Sequence, residues 1–341
     1  MTLFDFLTSD IAIDLGTANT LIIYKDEIVV DEPSILAVDK VTGKVLAIGE
    51  TAMQMHEKTN HHVNTIRPLK DGVIADFTAA EQMIRGMIRL IDVKSPFFSS
   101  SYRMVVCIPS GITEVEKRAV KDSCVHAGAK EVYMVYEPIA AALGIGIDIS
   151  LPNGVMIVDI GGGTTEVAVI AYSGIVCERS IRIAGDVFTS DIMDYMRREH
   201  NLLIGERSAE QIKMTIGSAT TELDEPLADY QVRGRDLMTG IPKEIRVTYT
   251  EIAYSLDKSI SKVEEGIMKT LEVSPPELAA DIFKNGIYLT GGGALIHGFD
   301  KRIAEKTKLP IQVAKDPLQA VVKGTGIILK NLDRYKSLLV S

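Results

Sequence analysis

Asp14 and Asp159 each close a run of apolar residues, and a glycine turn follows each of them. Gly16, Thr17, Ala18 and Asn19 follow the first; Gly161, Gly162, Gly163, Thr164 and Thr165 follow the second. A triphosphate needs backbone N–H donors near its oxygens and a hydrated Mg²⁺ to offset its charge. Gly16 lets the chain turn with no Cβ in the way, so Thr17, Ala18 and Asn19 can present amides to phosphate, as Gly161 to Gly163 can from the second turn. Mg²⁺ keeps most of its waters and takes one or two carboxylates, a role that suits Asp14 and Asp159 acting through water. Either turn alone would also serve as a plain tight hairpin. Both together, about one domain length apart and followed by a third glycine turn at Gly291, Gly292 and Gly293, point to a phosphate site. A Walker loop, GxxxxGK(S/T), is absent.

The elements that must carry these turns alternate between short β-rich runs and amphipathic helical runs, which predicts α/β layers. Strands are expected over residues 11–15, 20–24, 104–108 and 131–136. Thr113 and Glu116 have the spacing of a capping box at the start of a helix, with Gly128 as its stop. Pro138 opens a small-residue helix through Ala140, Ala141 and Ala142. The pattern then restarts: strands over 155–160 and 166–171 flank a turn and lead into a hairpin at Ser173-Gly174, repeating the opening. Two similar halves joined near residues 144–152 are expected, with Gly144 and Gly146 as a hinge. Helices are expected over 187–199, 208–216, 250–271 and 276–285. A strand over 286–290 follows, and then a helix from about Pro317 that folds back on the first half.

At 341 residues the chain suits two domains, each able to bury its own core. With 46% hydrophobic and 24% charged residues it reads as an ordinary globular chain, and its net charge of −9 argues against a nucleic-acid groove. Cys107, Cys124 and Cys177 are scattered thiols without paired spacing, which fits a reducing compartment. The histidines form no zinc-like group with them; His61-His62 reads as solvated loop, and Met53 and Met55 read as packing. No run of 18 apolar residues occurs, and the N-terminus lacks the basic region of a secretory signal. That N-terminus nevertheless places Leu3, Phe4, Phe6 and Leu7 on one side if it is helical. Phe97 and Phe98 sit between Pro96 and a serine run, an exposed-loop context for adjacent aromatics. Both segments are candidate membrane contacts, although a loop folded back on its own domain would also account for the phenylalanine pair.

DLGTANT at residues 14–20 resembles the first phosphate loop of the actin, heat-shock chaperone and sugar-kinase superfamily, and DIGGGTTE at 159–166 resembles the second. LTGGGA at 289–294 is similar to its adenosine motif, and VYEPIAAALG at 135–144 to its first connecting helix. With DEPSILA, PLKDGVIADF and EVEKRAV between them, the chain is similar along its length to the MreB family. The resemblance implies an actin-like two-lobed ATPase fold: duplicated ribonuclease-H-like domains with ATP and Mg²⁺ in the cleft between them. The implied lobe I has a large subdomain at 1–32, 71–144 and 317–341 and a small one at 33–70. Lobe II has a large subdomain at 145–188 and 250–316 and a small one at 189–249.

By match to the family, Gly16, Thr17, Ala18, Asn19, Gly161, Gly162 and Gly163 contact phosphate, and Gly291, Gly292, Gly293 and Ala294 pack on the adenosine. The stretch Glu210, Gln211, Ile212, Lys213 supplies a Glu and a Lys that flank base and ribose. Glu137 matches the acidic residue that orients or activates the attacking water, with Thr164 or Thr165 helping to hold it; a carboxylate there also suits a helix N-terminus. Further implications are polymerisation with copies of itself, a peripheral place on the inner face of the cytoplasmic membrane, cell-shape membrane proteins as partners, and no nucleic acid. A sugar kinase would need a sugar pocket and an Asp base in the first lobe, for which no motif is evident. A chaperone ATPase would need a further peptide-binding domain.

Overall fold

A computed structural model describes residues 8–58, 61–92 and 101–340, which fall into two compact units. The first runs from the start of the described chain to Pro152 and also takes in Ile170–Ile175 and the chain from Leu318. Its strands β1 (Thr8–Leu15), β2 (Asn19–Tyr24) and β3 (Glu27–Pro33) form an antiparallel meander. A small sheet of β4 (Leu36–Asp39), β5 (Val45–Ile48) and β6 (Val63–Ile66) follows, with α1 (Gly49–Met55) inserted before β6. After the short pair β7 (Leu69–Lys70) and β8 (Val73–Ile74), α2 (Phe77–Asp92) leads to β9 (Ser101–Ile108). Then α3 (Glu114–His126) leads to β10 (Ala129–Tyr136), and α4 (Glu137–Gly144) follows at once. The main sheet has the order β10-β9-β1-β2-β3, and β9 lies parallel to both β1 and β10.

The second unit is built the same way. β11 (Val155–Ile160), β12 (Thr165–Ala171) and β13 (Gly174–Ile181) open it, and α5 (Gly185–His200) follows. A small sheet of β14 (Leu202–Leu203), β15 (Tyr230–Asp236) and β16 (Pro242–Val247) comes next, with α6 (Glu206–Ile216) between its first two strands. The helices α7 (Tyr249–Val273) and α8 (Pro276–Asn285) lead to β17 (Ile287–Thr290), and α9 (Phe299–Thr307) to β18 (Ile311–Val313). The order β13-β12-β11-β17-β18, with β17 parallel to β11 and β18, is the order of the first unit's main sheet again. The duplicated α/β design implied by the two Asp–Gly turns is therefore present.

The sequence explains why these elements form where they do. The central strands β1 and β11 are covered on both faces, so Ile11, Ala12, Ile13, Met156, Ile157 and Val158 are essentially inaccessible and the strands read as continuous apolar runs. Helix α3 starts at the capping box read from the sequence, with Thr113 accepting from the Glu116 N–H and Glu116 accepting from the Thr113 N–H. A second box, Thr248 with Glu251, starts α7.

The C-terminal helix, Ala320–Lys330, packs on α4 and on β1, β2 and β9 of the first unit, as the sequence led us to expect. This crossing corrects the reading of Gly144 as a hinge. A Cβ on Gly144 would overlap the Ala320 carbonyl, and one on Gly324 would overlap the Ala140 carbonyl. Gly144 is fixed by a close helix–helix approach; Gly146, with φ 86°, carries the backbone turn that follows.

Candidate functional site

In the first unit, the C-terminal ends of three parallel strands define one sheet edge. Ile13 pairs with Val106 and Tyr136 with Ile108, so Leu15 is level with Ile108 and Glu137 stands one residue beyond. Asp14 and Glu137 therefore emerge at the same edge with one strand between them, about 10 Å across the sheet. Ligands of open α/β sheets gather at such an edge. Glu137 is the first residue of α4, ahead of Pro138, where the helix dipole favours a carboxylate.

The loop after Asp14 is tight: a Cβ on Gly16 would lie 2.6 Å from the Asn19 carbonyl oxygen. Fully buried Ser34 holds it. The Ser34 hydroxyl donates to the Gly16 carbonyl at 2.6 Å, and the Ser34 N–H donates to the Ala18 carbonyl at 2.8 Å. With its proton so engaged, the Ser34 hydroxyl accepts from Thr20 at 2.9 Å. In a trans peptide the N–H points opposite to the C=O. The N–H groups of Thr17 and Asn19 are thereby aimed away from Ser34. The Thr17 side chain is buried and accepts from the Gly72 N–H at 3.0 Å; Ala18 is half-buried and Asn19 exposed.

The second unit repeats the device with different parts. The Gly185 N–H donates to the Gly161 carbonyl at 3.1 Å, and the Asp186 N–H to the Gly162 carbonyl at 2.8 Å. The first turn of α5 has amides with no partner inside its own helix, and its N-cap, Ala184, offers no side-chain cap. Binding the loop carbonyls satisfies two of those amides and aims the N–H groups of Gly162 and Gly163 away from α5. Thr164 is buried at the turn. Thr165 is fully buried and donates to the Ile183 carbonyl at 2.7 Å, which makes it a tie between strand and following loop.

Asp159 sits beside Thr290 at the ends of parallel β11 and β17, and the Thr290 hydroxyl donates to its Oδ1 at 2.7 Å. Burial pushes the Asp159 carboxyl up to about 6; the Thr290 hydroxyl holds it down against that, and the buried Glu166 carboxylate adds to the rise. Glu166 is itself held by the Ser180 hydroxyl at 2.6 Å. Among the described residues no cluster of three or more metal-ligating side chains occurs. The donor set fits a cation that keeps its waters and is completed by phosphate, which is the habit of Mg²⁺, and does not resemble an all-protein cage.

The Gly291–Ala294 turn packs on the end of β11. Gly291 has φ 78°, a Cβ there would overlap the Ile160 backbone, and its N–H donates to the Pro317 carbonyl at 3.0 Å. Gly293 lies against the Ile160 side chain, so the turn presents bare backbone. On α6, Glu210 and Lys213 pair at 2.7 Å, and both meet Thr189 of α5. Gln211 is exposed and Ile212 is buried in the core, so their side chains do not join that pair.

The structure thus gathers Asp14, Gly16 to Asn19 and Glu137 in one unit. In the other it gathers Asp159, Gly161 to Thr165, Gly291 to Ala294, Glu210 and Lys213. Leu3, Phe4, Phe6, Leu7, Phe97 and Phe98 lie outside the described residues. No described helix is long and apolar enough to cross a membrane. The sequence reading assigned no role to Ser34, the Gly185 and Asp186 amides, Thr290 or Thr189. Ser34 and Thr290 do stand inside quoted motifs, but only the register of distant strands reveals what they hold.

Residues 8–337 match the MreB/Mbl protein family. The cell shape-determining protein Mbl of Bacillus subtilis is 47% identical over 95% of this chain and 97% of its own length. The cell shape-determining protein MreB of Escherichia coli is 44% identical over 96% and 95%. Crystal structures of MreB5 of Spiroplasma citri bound to ADP and to AMPPNP are 39% identical, covering 97% of this chain and 98% of theirs with a TM-score of 0.90. The chain of a MamK double helical filament shares the fold, with a TM-score of 0.78 at 19% identity over 96% and 99%.

Proposed function

The chain belongs to the MreB/Mbl protein family, and from that membership we propose that it is an actin-like ATPase whose filaments help determine cell shape. One observation carries the reading beyond the family name. The same sheet order occurs twice, and each time the first strand ends in an aspartate followed by a glycine turn whose carbonyls are bonded from behind. Such a turn offers its amides to an anion. The Spiroplasma citri relative binds ADP and AMPPNP, and the sugar-kinase alternative is set aside because the 44–47% relatives are cell-shape proteins.

In this reading the N–H groups of Thr17 and Asn19, and those of Gly162 and Gly163, donate to phosphate oxygens of ATP. Asp14 and Asp159 would hold Mg²⁺ through water, and the cation would offset the charge on the phosphates. Glu137 accepts a hydrogen bond from the attacking water and takes its proton as oxygen bonds to the γ-phosphorus and the bond to ADP breaks. Thr164 assists that water; Thr165 keeps its structural bond. Glu210 and Lys213 flank the base and the ribose, and the bare Gly291–Ala294 backbone packs on the adenosine.

The filaments lie on the inner face of the cytoplasmic membrane and work with cell-shape membrane proteins. Leu3, Phe4, Phe6 and Leu7, and the Phe97-Phe98 pair, supply the lipid contact. Burying two phenylalanines contributes about 3–6 kcal/mol before entropy losses, which is marginal for one molecule and sufficient for many linked in a polymer. The test combines calorimetry, phosphate release and sedimentation of purified chain with Mg²⁺ and ATP. Uptake, slow release of phosphate and ATP-dependent pelleting are expected, and absence of adenine-nucleotide uptake overturns the reading.

A further inference from the structure

Thr189 lies one helical turn after Gly185 on α5 and is 3% exposed. Its hydroxyl meets three groups: the Gly185 carbonyl at 2.9 Å, Glu210 Oε2 at 2.7 Å and Lys213 Nζ at 3.0 Å. Lys213 Nζ also reaches Glu210 Oε2 at 2.7 Å and the Gly185 carbonyl at 2.9 Å. An ammonium only donates and a hydroxyl has one proton. Lys213 therefore donates to Thr189, and Thr189 donates onward to Glu210 or to Gly185.

An ion pair three residues apart on one helix is a weak constraint by itself, because two long side chains must be held in one geometry. Here a short, buried, β-branched side chain from another helix touches both partners and removes that freedom. The Glu210 side chain remains 43% exposed, whereas Lys213 is 12% exposed. Both bonds to Glu210 end on Oε2, which leaves Oε1 to accept from a hydroxyl donor. The same helix turn that carries this network bonds the Gly161 and Gly162 carbonyls. Thr189 thus registers the Glu210–Lys213 pair against the phosphate loop.

We propose that Thr189 is a positioning residue that sets the preference of this site for a ribose over a 2′-deoxyribose nucleotide by fixing the Glu210 carboxylate. The proposal rests on the reading that Glu210 and Lys213 flank the ribose. A site built around a fixed acceptor prefers the ligand with the matching hydroxyl, because that hydroxyl gains a bond to a charged acceptor already held in place and the analogue gains none.

The experiment measures affinities for ATP and 2′-deoxy-ATP, with Mg²⁺, by calorimetry on the unaltered protein, Thr189→Val and Thr189→Ser. The unaltered protein should prefer ATP by about ten-fold or more, the effect of one hydrogen bond to a charged acceptor. Thr189→Val keeps the shape without the hydroxyl and should shrink that ratio to about two-fold. Thr189→Ser keeps the hydroxyl and should retain the ratio, an outcome that helix packing alone does not produce. Should Thr189→Val not accumulate as folded protein, Thr189→Ala takes its place. An unchanged ratio in the hydroxyl-free variant overturns the role of Thr189 alone. Absence of any preference in the unaltered protein overturns the ribose reading and the proposal with it, while leaving ATP uptake itself to be read from the same titration.

Discussion

Glu137 and Ser34 serve the same sheet edge from different distances. In the proposed mechanism Glu137 takes the proton of the reacting water, so Glu137→Gln keeps the size and loses the basic oxygen. Phosphate release should fall about 100-fold or more while ATP uptake is retained, as read from single-turnover release and calorimetry on one preparation. Ser34 bonds the Gly16 and Ala18 carbonyls of the loop. Ser34→Ala leaves the Gly16 carbonyl without its hydroxyl donor and the Thr20 hydroxyl without its acceptor, in a region closed to water. Affinity for ATP should drop by roughly ten-fold, consistent with about 1–3 kcal/mol for unsatisfied buried groups, while affinity for adenosine stays unchanged; an equal loss of both would reject a role confined to the phosphate loop. The sequence reveals the first kind of residue and hides the second. Asp14 and Asp159 are visible because an acid at the end of an apolar run is conspicuous. Ser34 is a small polar residue whose purpose depends on the β2–β3 pairing that folds it back under the Gly16 turn. Ile212 errs the other way: it shares a stretch with Glu210 and Lys213, but the helical period turns it into the core.

Elements were legible where their signals are local. The Thr113–Glu116 capping box needs only four consecutive residues, and both reciprocal bonds form. Thr113→Ala should therefore destabilise the protein by about 1 kcal/mol, a change readable as a lower denaturant midpoint at constant slope. That the C-terminal helix folds back on the first half was legible, but its close approach to α4 was not, because Gly144 looks like a flexible joint until Gly324 is brought against Ala140. Gly324→Ala puts a methyl group where a carbonyl already stands, so the helices must separate. A loss of about 1–3 kcal/mol is expected from the same denaturation experiment, with α-helical circular dichroism retained at low denaturant. A neutral result would mean that the crossing has slack that its geometry denies.

For the molecule as a whole, ATP and membrane should act as linked ligands of the assembled state. Saturating nucleotide at about 100 times its dissociation constant should add about 2.7 kcal/mol to the stability of the native protein, seen as a raised unfolding temperature that falls back on removal by gel filtration. Co-pelleting with anionic liposomes should require ATP and be abolished by a double change, Phe97→Ser with Phe98→Ser; unchanged pelleting would shift the lipid contact to Leu3, Phe4, Phe6 and Leu7. The helix Ala320–Lys330 lies against β1, β2 and β9, so these strands lack a covering layer until the whole of the second unit has been made after them. Residues 153–169 and 176–317 emerge in the interval and can close their own core first. The order of completion on the ribosome is therefore inverted: the half begun first is finished last. A stop codon just upstream of Ala320 would therefore strip the cover from β1, β2 and β9, far from the site of the change in sequence.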